Sequence, residues 1–277
     1  MQTGAASCAL NSSSRRVRRR PERLIAAFGA AIVVLCAAAC SGGGSSGDTS
    51  VADPPVDLSK LTEVNTSTTV SGAPLEPRPN AGSSTGEVIH PRNVLPIYDR
   101  VNGKAFAKLP TTQIGGQCWV PVIAKQGDWA EILLPSRPNG AAGWVHLTPG
   151  AADAAQDNYI INVNRAAFTL ELLESGKSLG KWTIGTGKSV HPTPVGQAYI
   201  IAAVEETVDK YSPIILPLSY HSNSLETFGG GPGTVGIHTW PTDSFLGNAS
   251  SDGCIRVTKE VLDKLVKLPL GTIVNIT

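Results

Sequence analysis

The chain of 277 residues has almost no net charge, +1 at pH 7, so bulk electrostatics gives it no pull on nucleic acid, and no nucleic-acid partner is expected. It also lacks a full-length membrane span. The apolar run Leu24 to Ala39 holds sixteen residues, whereas a spanning helix needs about 20. From Ser41 to about Gly86 large apolar residues are scarce, and Ser, Gly, Thr, Pro and Asp dominate. Such a segment cannot bury enough surface to offset chain entropy, so residues 40–86 read as a flexible tether. Cysteine is sparse as well, with five in the whole chain.

The N-terminus is organised by charge. Arg15, Arg16, Arg18, Arg19, Arg20 and Arg23 crowd one segment directly before the short apolar run. Basic residues, a short apolar core and small residues at its end describe an export signal over residues 1–39. The sequence Leu35-Cys36-Ala37-Ala38-Ala39-Cys40, followed by Ser and Gly, resembles a bacterial lipoprotein processing site. That resemblance implies lipid on Cys40 and an anchor at the membrane face, outside the cytoplasm. An ordinary cleaved signal is the other reading. Cys8 and Cys36 would leave with the signal, so Cys118 and Cys254 remain. Outside the cytoplasm these two are able to pair. If Cys254 is a nucleophile it must stay free, and Cys118 becomes a core residue.

The rest of the chain is expected to be mainly β. Residues 87–150 alternate short β-prone runs (Val94 to Tyr98, Cys118 to Ile123, Trp129 to Leu134, Gly143 to His146) with Gly, Pro and Asn turns. The Gly-Asp-Trp and Gly-Trp-Val strands resemble a bacterial SH3-like domain. Trp119, Trp129 and Trp144 are either core or a surface for wall polymer. Ala151 to Gln156 reads as a linker. Tyr159 to Val163 and Phe168 to Leu172 read as strands, the second by its apolar–polar alternation. His191-Pro-Thr-Pro-Val-Gly196 is extended because each proline excludes helix before it, and a strand from Ala198 to Val204 is expected to follow. Asp209 to Pro232, with its prolines and glycines, is either a flap over substrate or a plain surface loop. Thr258 caps a helix carrying Val261, Leu262 and Leu265 on one face, Pro269 stops it, and Gly271 to Ile276 closes the chain as a strand.

The chemistry concentrates in Gly236 to Val257. His238 is followed sixteen positions later by Cys254, inside Ser-Asp-Gly-Cys-Ile-Arg. An imidazole that takes the thiol proton gives a reactive thiolate. Gly253 permits a sharp turn whose N–H groups, with that of Cys254, are placed to face an oxyanion. This segment, with His191 to Gly196 and the strands from Tyr159 to Gly187, resembles the L,D-transpeptidases of the YkuD family over residues 156–277. The resemblance implies a cysteine acyltransferase with a thioester intermediate. It would act on peptidoglycan stem peptides to form 3→3 cross-links, need no cofactor or metal, and take carbapenem-type inhibitors. It implies Cys254 as nucleophile, His238 as base, the Thr239 carbonyl orienting His238, and Arg256 and Ser251 touching substrate; Tyr220 and His221 are further candidate substrate contacts because they lie in the candidate flap 209–232. For Arg256 a structural ion pair is an equal alternative. Water as acceptor would make the enzyme an L,D-carboxypeptidase, and loss of activity would leave a wall-binding lipoprotein. One position departs from the family: Asp252 stands where a second histidine is usual.

Overall fold

The computed structural model describes residues 56–77, 84–228 and 231–277. The export signal and Cys40 therefore lie outside the described residues. Among those described, no helix is long and apolar enough to cross a membrane.

The first region is an eight-stranded sheet. Its spatial order runs Thr62–Glu63, Ala105–Leu109, Leu95–Tyr98, Ala142–His146, Trp129–Leu133, Val120–Gln126, Glu87–Pro91 and Ala152–Gln156. Alternate residues point to a common core of Ile89, Ile97, Leu109, Val120, Val122, Ile132 and Val145. Cys118 lies in that core and is a free thiol, as is Cys254. Trp129 is half-buried, edge-on to Tyr98 and stacked on His146 with centroids 4.7 Å apart.

Two expectations for this region need correction. Residues 56–77, taken as part of the tether, pack onto the sheet. Thr62 and Glu63 pair in parallel with Ala107 and Lys108, and Val64 and Val70 are buried in the core. The segment's average composition hides these two anchors, and backbone hydrogen bonds to Lys108 and Arg137 supply the rest. Ala151 to Gln156 is no linker either. Residues 152–156 form an edge strand, antiparallel to 87–91, whose exposed outer residues carry no apolar signal.

The second region has two main sheets. One orders Lys177–Thr183, Thr169–Glu174, Tyr159–Asn164, Ile273–Ile276 and Gly196–Tyr199; the other orders Val204–Glu205, Ile214–His221, Thr234–His238 and Ile255–Arg256. One core takes Ile161, Leu170, Leu172 and Val274 from the first sheet and Leu216, Leu218, Ile237 and Ile255 from the second. The helix Lys259–Leu265 adds Val261, Leu262 and Leu265 to the same core. Thr258 caps that helix through its hydroxyl, which accepts from the Val261 N–H. The chain is thus mainly β with one α-helix among the described residues.

The expected strand from Ala198 to Val204 is broken: the first strand ends at Tyr199, Ile200 makes an isolated bridge to Leu218, and strand pairing resumes at Val204. Asp209 to Pro232 is not one irregular segment. Ile214–His221 forms a central strand despite Pro217, and its pairing with 234–238 is irregular between Pro217 and His221. A missing N–H is tolerated where the ladder is already interrupted. The two regions also share a core, because Tyr199 and Ile201 of the second are buried among residues of the first.

Candidate active site

The strand Thr234–His238 lies between Ile214–His221 and Ile255–Arg256. Its pairing with the latter is parallel and in register, Ile237 opposite Ile255 and His238 opposite Arg256. Side chains two apart share a face, so Cys254 and Arg256 stand on the same side as Gly236 and His238. The Cys254 thiol is held by a hydrogen bond from the Gly236 backbone.

His238, Cys254 and Arg256 line a cavity of about 300 Å³ together with Tyr211, Leu225, Phe228, Trp240, Ser251 and Asp252. The Nδ1 of His238 lies 2.6 Å from the Thr239 carbonyl oxygen. A carbonyl only accepts, so Nδ1 carries the proton and Nε2 is left with its lone pair. Thr239 is fixed in turn: its N–H donates to Ser212 Oγ at 3.0 Å and its hydroxyl to the Tyr211 carbonyl at 3.2 Å. The Tyr211 ring meets His238 edge-on at 4.9 Å. The Arg256 guanidinium sits 3.6 Å above the Trp240 ring, a cation–π stack, and its Nε makes no hydrogen bond among the described residues.

Burial dominates the titration of both reactive groups. It pushes His238 down to about 4, with Arg256 acting the same way and the Thr239 hydrogen bond opposing. It pushes the Cys254 thiol up; the Gly236 hydrogen bond and Arg256 pull back, and the Asp252 charge adds to the rise. At neutral pH the resting pair is therefore a neutral thiol beside a neutral imidazole.

The turn before Cys254 is built by Ser251. Its hydroxyl donates to the Cys254 carbonyl at 2.6 Å and accepts the Gly253 N–H at 3.2 Å. Gly253 has φ of +117°, a conformation that suits glycine. Ser251 thus organises the loop, and the Gly253 N–H, expected to face an oxyanion, is already engaged.

Two expected substrate contacts do not reach the cavity. Tyr220 is 2% exposed, and its hydroxyl packs near Gly140 and Gly196 at a separate groove. His221 is 1% exposed. Its Nδ1 lies 2.8 Å from the Ser222 carbonyl, and its Nε2 lies 3.2 Å from the Gly233 amide nitrogen that donates to it. Both belong to a buried strand end, a position that the prolines and glycines around them disguised.

Asp252 pairs with neither Arg256 nor His238. Its Oδ1 is 2.6 Å from Lys188 Nζ. Sequence reasoning also missed Thr193, fully buried, whose hydroxyl donates to the Gly253 carbonyl at 2.8 Å and accepts the Gly187 N–H at 2.9 Å. Gly187 leaves room for this contact: a Cβ there would lie 2.3 Å from the His191 carbonyl oxygen and 2.9 Å from Gly253 Cα. Trp240 was also missed, although its place two residues after His238 is a signal that extended backbone turns both to one side. Among the described residues no group of three or more His, Cys, Asp or Glu is placed to hold a metal ion.

Known proteins match the second region of the chain. A family profile described as the L,D-transpeptidase catalytic domain, YkuD, matches residues 158–276. The YkuD protein of Bacillus subtilis (strain 168) is 30% identical over 149 residues, which cover 52% of this chain and 84% of that protein. The YkuD protein of Bacillus licheniformis is 29% identical over 153 residues, covering 53% and 86%. Among solved structures, an L,D-transpeptidase from Mycobacterium smegmatis overlaps 57% of this chain and 90% of its own, at 14% identity and a TM-score of 0.37. That of the L,D-transpeptidase (Yku) from Stackebrandtia nassauensis overlaps 44% of this chain at 23% identity and a TM-score of 0.32, and the present chain spans 57% of its length. The chain belongs to the YkuD family of L,D-transpeptidases, the family's domain occupying residues 158–276.

Proposed function

We propose that the protein is a peptidoglycan L,D-transpeptidase that forms 3→3 cross-links through a thioester on Cys254. One observation carries this reading: Cys254 and His238 line one cavity, with His238 held as the tautomer that leaves Nε2 free to accept a proton. The thiol proton passes to Nε2 as sulfur attacks the carbonyl of the diamino-acid residue of a donor stem. Because both groups rest uncharged, proton transfer accompanies attack rather than preceding it. The oxyanion takes the Cys254 N–H. The imidazolium returns its proton to the departing D-alanine amine, leaving the thioester. A side-chain amine of a second stem then attacks, its proton goes to His238, an amide forms and the thiol is restored. Arg256, stacked on Trp240, presents its fork to a substrate carboxylate.

The test is intact-mass analysis after exposure to a carbapenem, whose lactam an activated thiol opens. One adduct on Cys254, lost in Cys254→Ala, is expected. An adduct that survives that substitution, or sits on Cys118, overturns the assignment. Products from a stem tetrapeptide then separate transfer to an amine from hydrolysis.

The same reading puts the protein outside the cytoplasm, held to the membrane by lipid on Cys40, with residues 87–150 as an SH3-like module at the wall. It rests on the arginine-rich segment, the short apolar run and the small residues before Cys40. Cys40→Ser is expected to release the protein from the membrane fraction, and unchanged membrane association overturns the anchor.

A further inference from the structure

The roof of the cavity is the segment after the central strand. Ser222, Leu225, Phe228 and Gly233 line the cavity from it. A two-rung hairpin, Thr227–Phe228 against Gly231–Pro232, closes the segment on itself, and Ser222 Oγ accepts the N–H groups of Ser224 and Leu225. Within the catalytic region its side-chain ties are His191 Nδ1 to Ser224 Oγ at 3.0 Å and the His221 ring, whose Nε2 lies 3.2 Å from the Gly233 amide nitrogen and 3.1 Å from the Glu226 carbonyl oxygen.

The firmer hold comes from the other region. The Asn139 side-chain amide meets both backbone groups of His221, the last residue before the roof. Its Nδ2 donates to the His221 carbonyl at 2.7 Å, and its Oδ1 accepts the His221 N–H at 2.9 Å. That pair acts as one extra rung of a β-ladder at the end of the strand. Arg137 Nη1 reaches Glu226 Oε2 at 2.5 Å, while its Nη2 donates to the Ser67 carbonyl. Thr66 Oγ1 lies 2.6 Å from Thr234 Oγ1 at the far end of the roof. Start, middle and end of the roof are thus each tied to residues 66–139. That mount is joined to the catalytic region by Tyr199 and Ile201, which are sunk in its core.

We propose that the first region is a mount that fixes the roof over Cys254, and that Asn139 is a positioning residue for acyl transfer from peptide donors. It never touches substrate; it acts through His221 on Ser222, Leu225 and Phe228. A long donor peptide needs that roof in place, whereas a small alkylating reagent reaches the thiol without it. The inference rests on the acyl-transfer reading of the cavity.

The experiment uses the full chain and two variants. Asn139→Asp keeps size and the acceptor for the His221 N–H but replaces the donor to the His221 carbonyl. Glu226→Gln cuts the roof's exposed ion pair without altering the mount. Three quantities are measured: acylation of Cys254 by a stem tetrapeptide as a function of its concentration, alkylation of Cys254 by iodoacetamide, and thermal melting. For Asn139→Asp the half-saturating tetrapeptide concentration is expected to rise about tenfold, as for one lost, partly buried hydrogen bond, with alkylation within about twofold of the original chain. For Glu226→Gln a rise of about two- to threefold is expected, in keeping with an exposed pair. Equal losses in acylation and alkylation, or no change in either variant, overturn the proposal. Should Asn139→Asp fail to fold, Glu226→Gln decides the question alone. An original chain that takes iodoacetamide but neither tetrapeptide nor carbapenem sinks the acyl-transfer reading and this inference with it. One that acylates alongside variants behaving identically sinks only the inference.

Discussion

The Thr193 hydroxyl donates to the carbonyl of Gly253, 2.8 Å away and sixty residues along the chain. It accepts the Gly187 N–H at the same time, so one buried hydroxyl joins the extended proline segment to the loop that presents Cys254. Thr193→Val keeps the shape but leaves a buried donor and a buried acceptor without partners. Each costs about 1–3 kcal/mol. The variant is expected to melt lower and to acylate with carbapenem at least about tenfold more slowly, while Thr193→Ser restores most of both. Acylation by the Val variant at the original rate would show that the Gly253 carbonyl needs no such hold.

His238 makes stability and rate depend on pH in a defined window. Its ordinary value is about 6.5, and burial holds it near 4 in the folded protein. Between these values the unfolded chain binds a proton that the folded chain refuses. Stability from this group is therefore complete above about pH 6.5 and falls as pH drops toward 4, by up to roughly 3 kcal/mol. The melting temperature is expected to fall less in His238→Gln than in the original chain between pH 7 and pH 4.5. A base must be unprotonated to act, so the acid limb of kcat/KM for acylation is expected near pH 4. A limb near 6.5 would mean that the imidazole is solvated when it works.

What could be read from the sequence follows from what is local. The Thr258 cap and the buried helix face are set by spacings of a few residues and lie where expected, and Cys254 and His238, sixteen positions apart within one motif, line one cavity. Thr193 to Gly253, Asn139 to His221 and Lys188 to Asp252 join positions far apart in the chain, and no local pattern encodes them. Short strands were lost for the opposite reason. Thr62–Glu63 is held by backbone bonds and two neighbouring valines, too little to alter the composition of a polar segment. This matters for residues 151–277, which hold every candidate catalytic group. Cut free, that fragment exposes Tyr199 and Ile201, about 1.5–3 kcal/mol of burial each, so it is expected to melt lower than the full chain and to aggregate. A fragment as stable as the full chain would mean that the shared core contributes little.

Asp252 and Lys188 support the last expectation. A carboxylate two residues from Cys254 disfavours the thiolate, and its charge acts in that direction here. Lys188 Nζ, 2.6 Å from Asp252 Oδ1, offsets that charge at the mouth of the site. Both side chains are more than a third exposed, so the pair itself adds at most about 1 kcal/mol to stability. Its effect belongs in the rate. Asp252→Asn is expected to stay within about tenfold of the original acylation rate, a barrier change under roughly 1.4 kcal/mol. Lys188→Met leaves the carboxylate uncompensated and is expected to slow acylation and shift its rise to higher pH. The double variant carries neither charge and is expected to recover toward Asp252→Asn, a non-additivity that a purely structural role would not give. Carbapenem acylation followed against pH in all four proteins measures this. A double variant as slow as Lys188→Met would show Lys188 acting on substrate in its own right. A loss far beyond tenfold in a folded Asp252→Asn would make Asp252 a working member of the site.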